Sequence, residues 1–60
     1  MTSNDNKITR ALASEISSMK YMYDWVMEAA LKQVLARSGL TPDNPELIKE
    51  TAAKIVGFNK

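Results

Sequence analysis

Neither cysteine nor histidine occurs among the 60 residues, and the two absences together exclude disulfides, thiolate nucleophiles, imidazole acid–base catalysis and the usual zinc sites. Glycine and proline number two each. None of them falls between Lys7 and Arg37, so no residue in that stretch obliges the chain to turn. No apolar run approaches the roughly 18 residues of a membrane span, and the opening residues Met-Thr-Ser-Asn-Asp-Asn lack the basic and apolar regions of a secretion signal. Eight Lys and Arg against seven Asp and Glu give a net charge of +1, no basis for a field that draws nucleic acid or an anionic membrane. A soluble cytoplasmic protein is expected, with no cofactor, no metal, no membrane association and no small-molecule substrate.

Present instead is helical patterning. Ile8, Leu12, Ile16, Met19, Tyr23, Val26, Ala30 and Val34 recur at spacings of three and four, a stripe broadened by Ala11, Met22, Ala29 and Leu35. Its mean step is about 3.7 residues, nearer a straight pairing than a heptad coil. The segment from Met19 to Met27 holds the single Trp, both Tyr and three of the four Met. Short polar residues from Thr2 to Asn6 supply the N-cap, with Thr2, Ser3, Asn4 and Asp5 competing for it.

Residues 38–44 are the punctuation. Gly39 is expected at positive φ closing the first helix, with Leu40 folding back on Leu35. Asn44 followed by Pro45 reads as an N-cap and first helical position. A second helix over about 45–56 is expected to bury Leu47, Ile48, Ala52, Ile55 and Val56, to pair Glu50 with Lys54, and to end at Gly57 with Phe58 as an apolar clasp.

The expected architecture is one all-α domain over 1–60: a long helix of about 5–37, a turn at 38–44 and a short helix of about 45–56. At 1.5 Å per residue the long helix runs about 45 Å and the short one about 18 Å, so the first half of the long helix has no cover in its own chain. A homo-oligomeric helical bundle, most simply a dimer, supplies it. Ile8, Leu12, Glu15, Ile16, Met19, Met22, Tyr23 and Val26 form the expected oligomer interface, with Glu15 facing Gln33 or Arg37 of an antiparallel second copy. The alternative is a break at Ser17-Ser18, whose hydroxyls compete for backbone bonds; the chain then becomes three short helices able to close as a monomer.

No catalytic constellation is present. Asp24 and Glu28 are spaced to share a metal but sit among Lys20 and Lys32, as on a solvated face. Tyr21 and Trp25, one turn apart beside the main stripe, are the candidate partner-binding pair, since Tyr and Trp are enriched among residues that dominate interface energy. The functional expectation is a non-catalytic protein–protein interaction module: a regulatory adaptor, an inhibitor or an assembly subunit. The rival is a DNA-binding transcriptional regulator with a helix-turn-helix-like segment at 29–56, disfavoured by the prolines and acids where phosphates would bind.

Overall fold

The computed structural model describes residues 2–57 as three helices, α1 (Ser3–Ile16), α2 (Asp24–Ser38) and α3 (Pro45–Val56). Five of the six boundaries have a local bond or dihedral behind them; the start of α2, at Tyr23, has no side-chain cap. The Thr2 hydroxyl accepts from the Asp5 amide at 3.1 Å and caps α1. Ser17 ends that helix, its hydroxyl donating to the Ser14 carbonyl at 2.8 Å, while the Met19 amide closes a turn on the Ile16 carbonyl. Gly39 takes φ 69° and donates to the Leu35 carbonyl, ending α2 as the sequence predicts. Asn44 caps α3 by accepting from the Leu47 amide at 3.2 Å, Pro45 occupies its first position, and Gly57 ends it at φ 89°. Phe58 lies outside the described residues.

The single long helix over 5–37 is thus replaced by α1, a non-helical segment at 17–23, and α2. Magnitudes account for the break. Carrying a helix through these seven residues is worth at most about 0.3 kcal/mol each, roughly 2 kcal/mol in all. Breaking it lets Ile8, Leu12 and Ile16 become fully buried, at about 1.5–3 kcal/mol apiece. Tertiary burial outweighs the local preference.

α1 is the central element: α2 and α3 both pack on it and touch one another little. Its buried stripe, Asp5, Ile8, Thr9, Leu12, Ala13 and Ile16, is broad because it serves two neighbours. α2 contributes Met27, Ala30, Leu31 and Val34, and α3 contributes Ile48 and Ala52. Met19, Met22, Leu35, Leu40, Ala53 and Val56 pack around this core. Leu47 and Ile55, expected inside, face outward; Ile55 is 61% exposed. α3 uses only the strip around Ile48 and Ala52, because a single neighbour helix covers only one face of it.

α1 and α3 run parallel, since Asp5 meets the residues just before α3 while Ser14 and Ser17 share a groove with Ile55 and Val56 at the other end. α2 does not return along α1 as a hairpin arm. Arg37 in its last turn meets Glu15 in the last turn of α1 at 3.3 Å, so the connecting segment must travel back along the bundle before α2 begins. The segment at 17–23 opens with the turn from Ile16 to Met19, bends at Lys20 and is extended at Tyr23.

Gly39→Val should destabilise the fold by roughly 1 kcal/mol or more, because the positive φ of Gly39 strains a β-branched residue even where a Cβ would meet open space. A neutral urea midpoint for this variant would show that the left-handed cap is dispensable.

Candidate functional site

The non-helical segment at 17–23 presents its side chains differently from a helix. Tyr23 has φ −104° and ψ 158°, and around it Met22 turns toward the core while Tyr21 and Tyr23 face away. Lys20 and Asp24 are exposed as well, so between Met19 and Val26 only Met22 turns inward. Tyr21 is 65% exposed, Tyr23 58% and Trp25, in the first turn of α2, 72%. Three large aromatic side chains thus stand in water within five residues, at most about 15 Å of chain. The ammonium of Lys20 lies 5.7 Å from the centroid of the Tyr21 ring, within cation–π range. Asp24 is exposed beside them.

Helical spacing had grouped Tyr21 with Trp25 and assigned Tyr23 to the oligomer stripe. In the structure all three are more than half exposed. The break made Tyr23 a linker residue, and the serines were the signal that could have shown it. Of the other residues expected at the oligomer interface, Ile8, Leu12 and Ile16 are fully buried within the chain's own core, while Met19, Met22 and Val26 are half-buried. The uncovered first half of a long helix, which was the reason to seek a second copy there, does not exist. Glu15 is half-buried and bonds to Arg37 of its own chain, where the sequence placed Gln33 or Arg37 of another.

Two polar clusters lie away from the aromatic edge. Asp5 is 1% exposed. Its carboxylate accepts the amide of Asp43 at 2.9 Å and that of Asn44 at 3.0 Å, and these bonds hold it below the usual carboxylate range despite burial. The adjacent Thr9 hydroxyl donates to the Asp5 carbonyl at 2.7 Å. This cluster joins α1 to the start of α3 and is structural, a role beyond the capping expected of Asp5. In the second cluster Lys49 bonds to Glu28 of α2 and to Glu46 at 3.0 Å, which raises the lysine and lowers Glu28. Glu50 and Lys54, expected to pair, are both exposed and make no ion pair among the described residues. Among the described residues no group of three or more acidic, His or Cys side chains is placed to hold a metal ion, and no helix is long and apolar enough to cross a membrane.

A shallow groove of roughly 520 Å³ runs between α1 and α3, lined by Arg10, Ala13, Ser14, Ser17, Ile55 and Val56. It offers one cation and two hydroxyls of ordinary reactivity, and nothing that activates a nucleophile. No protein-family model, curated protein or solved structure matches this chain.

Proposed function

We propose that the chain is a small, non-catalytic protein–protein interaction module whose docking surface is the aromatic edge of Tyr21, Tyr23 and Trp25. One observation carries the reading: a protein able to bury Ile8, Leu12, Ile16 and Ile48 completely leaves its three largest aromatic side chains more than half exposed. Such exposure forgoes several kcal/mol of burial within the chain, and side chains of this type supply interface energy when a partner covers them. Regulatory adaptor, inhibitor and assembly subunit all fit this chemistry, and the partner class is a protein surface, a second copy included. Lys20 and Asp24 flank the aromatics with one charge of each sign, as on the polar rim of an interface.

The DNA-binding reading of residues 29–56 draws less support. Glu46 stands in the first turn of α3, the amides of Asp43 and Asn44 are already taken by Asp5, and α2 and α3 lack the mutual packing of a helix-turn-helix pair.

Capture of binding partners on immobilised protein tests the proposal. Tyr21→Ser/Trp25→Ser should lose tenfold or more of captured protein while its thermal melt stays within a few degrees of the parent, because exposed positions contribute little to folding. Retention should also survive a rise in salt from 50 to 200 mM. Equal capture by the variant would refute the docking role of the edge, and steep loss with salt would favour phosphate contacts.

A further inference from the structure

The chain holds no cysteine, so the thioethers of its four methionines are its only sulfur atoms. Their placement is uneven. Met27 is 7% exposed, inside the core, whereas Met19 and Met22 are half-buried and pack on that core from the non-helical segment at 17–23. Solvent reaches these two.

Little else ties the segment down. Ser17, Ser18, Lys20, Tyr21 and Tyr23 are all exposed, and among the described residues its backbone bonds are those of the Met19 amide to the Ile16 carbonyl and of the Met27 amide to the Tyr23 carbonyl, one at each end. Its apolar attachment is therefore two thioethers. A methionine holds such a place by its shape and low polarity, and both change when the sulfur gains an oxygen, because a sulfoxide is a polar acceptor that must be hydrated or bonded.

We propose that Met19 and Met22 are a redox-sensitive latch, which a two-electron oxidant of the peroxide class opens, freeing Tyr21 and Tyr23 from their places beside Trp25. The regulation rests on the docking role proposed above and acts on that same site. Its chemistry is a single oxygen transfer to each thioether. The sulfur lone pair attacks one peroxide oxygen, the S–O bond forms as the O–O bond breaks, and the leaving oxygen takes the proton of the transferred one and departs as water; sulfur is oxidised and peroxide reduced. Two thiols reverse it through a methionine sulfoxide reductase, giving back the thioether with a disulfide and water. The release is local. Met27, Ala30, Leu31 and Val34 keep α2 in the core and Arg37 keeps its pair with Glu15, so the helices hold while the segment between them opens.

Proteolysis reads the latch on the whole chain, because the segment contains one tryptic bond, after Lys20. Hydrogen peroxide should oxidise Met19 and Met22 roughly tenfold faster than Met27 by peptide mapping, and trypsin should then cleave after Lys20 roughly tenfold faster while far-UV circular dichroism changes little. Met19→Leu/Met22→Leu keeps both apolar contacts without sulfur, and peroxide should leave its cleavage unchanged. Met19→Gln/Met22→Gln should be cleaved fast without peroxide, and reductase with dithiothreitol should return the oxidised parent to its slow rate. Equal oxidation of Met27, or equal acceleration in the leucine variant, would overturn the latch. Capture through Tyr21 and Trp25 should fall roughly tenfold on oxidation of the parent and stay constant for the leucine variant. Capture that survives oxidation with the segment open overturns the regulation. A segment that stays closed, with capture still dependent on Tyr21 and Trp25, sinks the latch alone and leaves the docking role standing.

Discussion

Leu12→Ala is expected to bring the chain close to unfolding at 25 °C. The side chain is fully buried on α1, the helix that both other helices pack against, and truncating such a leucine costs about 2–5 kcal/mol in lost transfer energy and cavity formation. At about 0.05–0.15 kcal/mol per residue, a domain of this length has about 3–9 kcal/mol in total. At mid-range, one substitution therefore removes about half of the stability. Ile55→Ala deletes a comparable side chain at an exposed position and should change stability by less than about 0.5 kcal/mol. Urea titrations of both variants decide the point, and they also separate a closed core from an oligomer interface. If Leu12 belonged to an interface between chains, its loss would act through assembly, and the difference from the parent would shrink on dilution. Equal midpoints for the two variants would remove α1 from the centre of the fold.

The second large effect is at Asp5. Among the described residues, Asp5→Ala withdraws the acceptor of the amides of Asp43 and Asn44, two part-buried hydrogen bonds to a charged group, each worth about 1.5–3 kcal/mol. The melting temperature should fall by roughly 10 °C or more. Asp5→Asn retains one carbonyl acceptor and should fall by less. The pH dependence has a definite sign. The folded carboxylate titrates below its usual value, so the unfolded chain binds the proton more readily, and folding gains stability that is complete above about pH 4 and lost as the pH falls below it. The parent should therefore melt progressively earlier in acid, and Asp5→Asn should show a much flatter acid limb. What remains comes from Glu28, also held low by Lys49 but half exposed and hence screened. An unchanged acid limb in Asp5→Asn would show that the bond to residues 43 and 44 does not govern α3 docking.

Where the backbone had to change direction for a stereochemical reason, the residues disclosed it. Gly39, Asn44, Pro45 and Gly57 each act through a local bond or a dihedral angle available to few other residues, and each stands where the patterning placed it. The break at 17–23 was of another kind. Two serines are a weak local signal, and the apolar stripe keeps a helical phase across them; what decides is burial of Ile8, Leu12 and Ile16 by α2 and α3, a long-range effect absent from any window of sequence. The same break controlled how much of the candidate site could be read. Tyr21 and Trp25 were legible as a pair because Trp and Tyr are enriched among residues that dominate interface energy, whereas Tyr23 is exposed with them only because the helix is interrupted there. Asp5 illustrates a further limit: its partners lie 38 and 39 residues away, so nothing near it in the chain indicates a role beyond capping.

Those separations bear on how the molecule comes into being during translation. α1 is made before α2 and α3, yet Ile8 and Leu12 pack in a core that includes Ile48 and Ala52 of α3, and Asp5 waits for the amides of residues 43 and 44. A nascent chain that ends before α3 can cover only one side of α1, and its remaining apolar stripe stays open to other proteins near the ribosome. Folding is accordingly expected as one late, concerted event instead of stepwise growth from the N-terminus, slower than that of bundles whose contacts are mostly local. A premature stop anywhere before Pro45 should yield a product that is degraded or held by chaperones, with no partly functional remnant.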